Sequence, residues 1–251
     1  MRPFATVSPF VISLLLLVAM PVAAGDGKHA HWEYAGATGP EHWGELEADF
    51  ASCSTGRNQS PINVTHAIEA ELPPISFDYQ PGGYRVVNNG HAIQVDFKPG
   101  SHISVDGTDF ELKQLHFHAP SENTIEGKTF PLEAHLVHAD AQGHLAVVAV
   151  FFEDGSDNAW LGKVWPSVPG KADSESALAT SVAATDLLPA NRDYFRYSGS
   201  LTTPPCSEDV RWLVLKQPVS VSGKQVEVVH AAIGHDNNRP VQPVGARIVA
   251  K

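Results

Sequence analysis

"FELKQLHFH", residues 110–118, is the stretch on which the reading of the fold turns. Side chains i and i+2 of a strand project from one face, so His116 and His118 point one way while Leu115 and Phe117 point the other. "LEAHLVHAD", residues 132–140, follows the same rule and puts Glu133, His135 and Val137 on one face. The segment between them, "APSENTIEGKTFP", is rich in turn formers, so the two runs are expected to pair as neighbouring antiparallel strands. A third imidazole then stands beside the first two.

Outward from this pair the chain keeps the same habit. "YRVVNN", "HAIQVDFK", "HISVDG" and "HLAVVAVFFE" are further short alternating runs, separated by prolines and glycines spread evenly enough that no linker or repeat stands out. Such spacing marks an antiparallel β architecture. Helical signals are few: "GPEHWGELEADF" for a turn or two, "SESALATSVAATDLL" as the clearest helix, and "GKQVEVVHAAI" as a candidate that also suits a strand. The expectation is one β-dominated α+β domain with minor helices.

The N-terminus carries Arg2, an apolar run "FVISLLLLVAM" too short to span a bilayer comfortably, and the small residues "PVAAG". Residues 1–24 therefore read as a cleaved secretory signal peptide, residues 25–251 as the mature domain, and the destination as the periplasm or the exterior. Cleavage removes one basic residue and no acidic one, moving the formal charge from −11 to −12. So acidic a surface excludes nucleic acid and anionic membrane as natural partners, and no second long apolar run predicts membrane insertion of the mature chain. Cys53 and Cys206 are the two cysteines. In an oxidising compartment the default reading is a disulfide, with two free thiols, or one thiol acting chemically, as the alternative; a bridge across 153 positions would contribute about 5 kcal/mol in the chain-entropy model.

Three neutral imidazoles on rigid strands, with no fourth histidine or cysteine at ligand spacing, describe a tetrahedral zinc site with one position open to water. Glu133, two residues before His135, suits the acceptor that a ligating imidazole needs for its other nitrogen. The same spacing also fits structural histidines. His116, His118 and Glu122 spell His-x-His-x-x-x-Glu as well, the pattern of cupin-type metal oxygenases, although the framing glycines and the later histidine of that pattern are missing. Spacing alone names no reaction.

Six separated blocks narrow the choice. "GRNQSPIN", "NNGHAIQVDF", "QLHFHAPSEN", "LEAHLVH", "YSGSLTTPPCSEDVRW" and "NNRPVQP" together resemble the α-class carbonic anhydrases, in the right order and over essentially the whole mature chain. The cysteine positions resemble the exported bacterial branch, in which they are bridged. The resemblance implies a central, twisted, mainly antiparallel sheet of about ten strands and a zinc enzyme that hydrates carbon dioxide reversibly to bicarbonate and a proton. Attack by zinc-bound hydroxide and proton transfer through a histidine are implied with it.

Carried over by motif, His116, His118 and His135 correspond to the ligands of one Zn2+. Gln114 and Glu133 correspond to the groups that orient the ligand rings, Thr202 to the threonine that accepts from the hydroxide, and Glu122 to the carboxylate that takes the proton of that threonine. His91 matches the proton shuttle. Tyr34, Asn89 and Gln94 match the positions that order its water chain, and Val137, Val147, Leu201, Thr202, Thr203 and Trp212 match the substrate pocket. Sulfonamide and anion inhibitors, an esterase side activity and a homodimer are further family-level expectations. Members that have lost ligands serve as binding modules, but all three ligands and the Thr202/Glu122 pair are present here. Animal members often carry histidine at the place of Asn123, and tryptophan-glycine at Ala119 and Pro120; the departures touch no metal ligand.

Overall fold

The computed structural model describes residues 29–251; residues 1–24, read above as a signal peptide, lie outside the described residues. In chain order the strands are β1 (Asn63–Val64), β2 (Ser76–Asp78), β3 (Gly83–Asn88), β4 (Ile93–Phe97), β5 (His102–Val105), β6 (Thr108–His118) and β7 (Thr124–Ile125). They continue with β8 (Leu132–Ala139), β9 (Leu145–Asp154), β10 (Ser174–Val182), β11 (Tyr194–Gly199), β12 (Val210–Leu215) and β13 (Val219–Val221). Four short α-helices accompany them: α1 (Trp43–Leu46), α2 (Ser52–Thr55), α3 (Ala159–Val164) and α4 (Gly223–Ile233).

Eleven strands form one sheet along the order β10-β3-β4-β6-β8-β9-β12-β11, with β13 on β9, β5 on β6 and β2 on β5; β1 and β7 make a separate parallel pair. The sheet is antiparallel except where β12 and β13 run parallel to β9, so it is mainly antiparallel as expected, with eleven strands against about ten. β6 and β8 pair antiparallel, as the turn-rich connection between them predicts, with His116 opposite His135 and His118 opposite Glu133.

The register of β6 against β8 shifts between Leu112 and Gln114, leaving Lys113 without a partner. That bulge carries the chain across one pleat, so Phe110 and Leu112 before it and Leu115 and Phe117 after it all enter the same core. A second apolar cluster, containing Val147, Ala149, Phe151, Tyr197 and Trp212, occupies the other face. The histidines belong to this second face.

"SESALATSVAATDLL" is not a helix. Ser174–Val182 is strand β10, paired antiparallel with β3, and Ala184–Leu187 is a turn of 3-10 helix. Alanine, leucine and glutamate favour helix weakly, and pairing with the free edge of β3 outweighs that preference. "GKQVEVVHAAI" is helix α4: Ser222 and Gln225 make a reciprocal capping box, and Gly234 ends it in the left-handed region at φ 86°. "GPEHWGELEADF" supplies α1 and a 3-10 turn, as expected.

Candidate metal centre

Strand pairing alone brings the three imidazoles together: one ring nitrogen each from His116, His118 and His135 lie within 4.8 Å of one another. His118 and His135 are each 1% exposed, whereas His116 keeps an edge open. Burial pushes the pKa of all three rings down, and the neighbouring imidazoles push those of His116 and His135 down further. They are thereby held neutral, the form in which imidazole is a ligand.

Each ring is also turned by a different neighbour. His116 Nδ1 bonds Gln114 Oε1 at 2.8 Å, and His118 Nδ1 bonds the Asn237 carbonyl at 2.6 Å. His135 Nε2 lies 3.0 Å from Glu133 Oε1, although off the axis of an aligned hydrogen bond. The nitrogens left over are Nε2 of His116 and His118 and Nδ1 of His135. His118 Nε2 is buried without a hydrogen-bond partner, the mark of a donor set meant for an ion. Three neutral nitrogens with their opposite nitrogens held by acceptors fit zinc.

Glu122, fully buried, stands beside the group. Its Oε2 is 3.5 Å from His118 Nε2 and 3.8 Å from His135 Nδ1, and its Oε1 accepts from the Arg239 backbone amide at 2.8 Å. It is not within the close group of ligand nitrogens, which weighs against the His-x-His-x-x-x-Glu alternative. Burial raises the Glu122 pKa well above the carboxylate range, while the Arg239 amide and the Thr202 hydroxyl favour the ionised form. Oε2 has no aligned hydrogen bond, so the Thr202 contact is a close approach rather than a fully formed bond. Glu133 is pushed up to about 7 by burial, against the opposing pull of two hydrogen bonds from Asn123 and one from the Glu122 amide.

Of the other sequence-predicted residues, Val147 and Trp212 are buried, and Val137 and Leu201 partly buried, in the apolar cluster on this face. Trp212 turns its indole edge-on to His135, with ring centroids 4.9 Å apart. Thr203 accepts at its carbonyl from the Cys206 amide, which ties the threonine loop to the Cys53–Cys206 disulfide. Gln94 pairs across the strands with His116 and donates to Asp96 Oδ1. Asn89 is a turn former: its Oδ1 accepts from the His91 and Ala92 amides, leaving only its amide nitrogen for water.

His91 sits in the β3–β4 turn, its ring stacked on Trp32 at 3.8 Å, with Tyr34 edge-on at 6.5 Å. Burial lowers its pKa and Glu33 opposes that shift. The Tyr34 hydroxyl is buried and unpartnered, and its pKa is raised by burial and by the charge of Glu122.

Sequence reasoning missed three contributors. Asn237 holds His118 through its carbonyl, and its side chain reaches the Ala119 amide and the carbonyls of Phe117 and His91. Buried Arg239 bonds the Gln59 side chain and the carbonyls of Ser60 and Cys53. Asn123 bonds both oxygens of Glu133. The block "NNRPVQP" signals the first two only as a match, because their contacts run largely through main-chain atoms.

A mixed sheet with three converging imidazoles and a buried carboxylate beside them has the make-up of a metal-binding enzyme site. A family model described as eukaryotic-type carbonic anhydrase matches residues 38–251, and the chain belongs to that family. A carbonic anhydrase of Pectobacterium carotovorum is 46% identical over 238 residues, 95% of this chain and 97% of the relative. One of Neisseria gonorrhoeae is 45% identical over 251 residues, 99% of each chain. Among solved structures, the α-carbonic anhydrase of Thermovibrio ammonificans in complex with sulfanilamide is similar at TM-score 0.87 and 50% identity, covering 88% of this chain and 99% of that one.

Proposed function

We propose that the mature chain is an exported zinc carbonic anhydrase that hydrates carbon dioxide reversibly to bicarbonate and a proton. The observation that carries the reading is the geometry of His116, His118 and His135: three nitrogens converge while the opposite nitrogens of His116 and His118 bond acceptors and that of His135 lies 3.0 Å from Glu133 Oε1. Bound there, zinc would act as a Lewis acid that makes a water acidic enough to yield a nucleophile near neutral pH.

The protein's own residues then direct that nucleophile. In its ionised form, which the Arg239 amide and the Thr202 hydroxyl favour against burial, Glu122 can only accept, so Thr202 would give it its hydroxyl proton and keep an oxygen lone pair free to accept from the nucleophile's O–H. This arrangement selects the deprotonated nucleophile and aims it. Val137, Val147, Leu201 and Trp212 offer an apolar wall on which carbon dioxide rests, with Thr203 beside it, and the Thr202 amide is available to a substrate or inhibitor oxygen. The product proton passes along water ordered by Tyr34, Asn89 and Gln94 to His91, an imidazole that can accept and release protons although burial lowers its pKa. Gln114 and Glu133 keep the ligand rings in one tautomer throughout.

Export follows from residues 1–24 read as a signal peptide, and the Cys53–Cys206 bridge supports an oxidising destination, periplasmic or extracellular. No helix among the described residues is long and apolar enough to cross a membrane. Inhibition by sulfonamides and anions, esterase side activity and homodimerisation belong to the same proposal. Stopped-flow carbon dioxide hydration with and without a zinc chelator tests its centre: activity abolished by the chelator and restored by zinc is expected, and its absence refutes the assignment.

A further inference from the structure

Asn123 reaches Glu133 twice: its backbone amide donates to Oε2 and its side-chain Nδ2 to Oε1, both at 2.8 Å. Its Oδ1 is engaged from the other side, accepting from the Ile62 amide at 3.1 Å and from the Tyr197 hydroxyl at 2.9 Å. The residue is fully buried. Two donors converge on Oδ1, so the amide has one orientation only, with Nδ2 facing the carboxylate. Glu133 in turn meets His135 Nε2 at 3.0 Å. A single line of contacts therefore runs from Ile62 and Tyr197 through Asn123 and Glu133 to a ligand ring.

We propose that Asn123 is a positioning residue of the metal centre, which fixes Glu133 and through it the rotation of His135. The inference rests on the metal-centre reading above and deepens it. Glu133 Oε2 also accepts from the Glu122 amide at 2.7 Å, so the Asn123 side chain is what fixes Oε1, the oxygen that faces the imidazole. Held at both oxygens, the carboxylate presents Oε1 to the imidazole at a set distance. Only a neutral group with an N–H toward Glu133 performs this task. An aspartate would oppose carboxylate to carboxylate, and an alanine would leave Oε1 with His135 alone. The hold on His135 is thus separate from those on His116 and His118, which use Gln114 and the Asn237 carbonyl.

The test is the zinc affinity of the full mature protein, measured by competition with a chelator of known affinity, for wild type, Asn123→Ala, Asn123→Asp and Asn123→His. Outer partners of metal ligands are worth about 10- to 100-fold in metal affinity, so Asn123→Ala is expected to weaken zinc about tenfold and Asn123→Asp by more. Asn123→His, which restores an N–H donor, is expected to recover most of the loss. Wild-type affinity in Asn123→Ala overturns the proposal. So does equal affinity in Asn123→Asp and Asn123→His, a comparison that decides the matter if the alanine variant does not fold. A wild type that takes up no zinc overturns the metal-centre reading itself, which keeps the two failures apart.

Discussion

His138 lies on β8, three residues beyond His135, but projects into the opposite core, where it is 0% exposed. Its Nε2 pairs with the Tyr79 hydroxyl at 2.7 Å and its Nδ1 with the Ala146 carbonyl at 3.2 Å. A carbonyl only accepts, so Nδ1 carries the proton and Nε2 accepts from the tyrosine. Burial drives its pKa from 6.5 down to about 3, against the weaker opposing pull of backbone hydrogen bonds. A depressed imidazole pKa means that the unfolded chain takes up the proton first. The associated stability is therefore complete above pH 6.5 and is lost as pH falls toward about 3. At pH 5 the unfolded residue is about 1.5 pH units into protonation while the folded one stays neutral, which at 1.36 kcal/mol per unit amounts to about 2 kcal/mol. The folded pKa drops out of this figure provided it stays below about 4.

The perturbation is His138→Gln, which keeps an acceptor for Tyr79 and a donor for Ala146 but does not titrate. Unfolding free energies of wild type and variant are measured by urea at pH 7.5 and 5.0, with zinc matched, so that contributions from other histidines cancel. The wild type should lose about 2 kcal/mol more than the variant over that interval. Parallel losses within about 0.5 kcal/mol, the usual size of a neutral substitution, would show that His138 titrates normally in the fold and that its burial has been misread.

Three further outcomes are expected. His91→Ala should lower kcat while leaving kcat/KM nearly unchanged, with added imidazole restoring rate; equal loss of both parameters would remove His91 from the proton path. Reduction of Cys53–Cys206, or Cys53→Ser with Cys206→Ser, opens a loop of 153 positions and should cost about 5 kcal/mol or somewhat less, read as a fall in urea midpoint. A Cβ at Gly199 would fall 2.1 Å from Ser60 Oγ and 2.8 Å from both Trp212 Cδ1 and Tyr197 Cε2, so Gly199→Ala should destabilise by about 1–3 kcal/mol, visible as a lowered Tm.

Side-chain alternation made much of this molecule readable from its sequence. The facing of His116, His118 and His135 follows from a period of two, and the pairing of their strands from the turn-rich segment between them. Three features escaped for different physical reasons. β10 mixes helix formers (Glu175, Ala177, Leu178, Ala179) with serine, threonine and valine, and its strand state comes from the edge of β3, a tertiary fact. The bulge at Lys113 shows only as two adjacent polar residues inside an alternating run, and its effect appears once both halves of β6 are seen to share one core. The third ring is held by a main-chain carbonyl at Asn237, and main-chain groups carry no side-chain identity to read.

The sources of the three ring contacts bear on how the centre forms. Gln114 is two residues from His116 on the same strand, Glu133 stands likewise to His135, and Asn237 comes from a distant segment beyond α4. His116 thus has its contact within β6 itself, His135 depends on Glu133 and on the Asn123 that holds Glu133, and His118 depends on the C-terminal segment. None of these contacts uses a metal. The apolar cluster under Leu115 and Phe117, the second cluster around Trp212 and the disulfide likewise close without one. Small zinc modules differ, since their folding free energy is the binding free energy. Removing the metal should empty a formed site and leave the sheet intact, because the rings are held from behind by groups the metal does not touch.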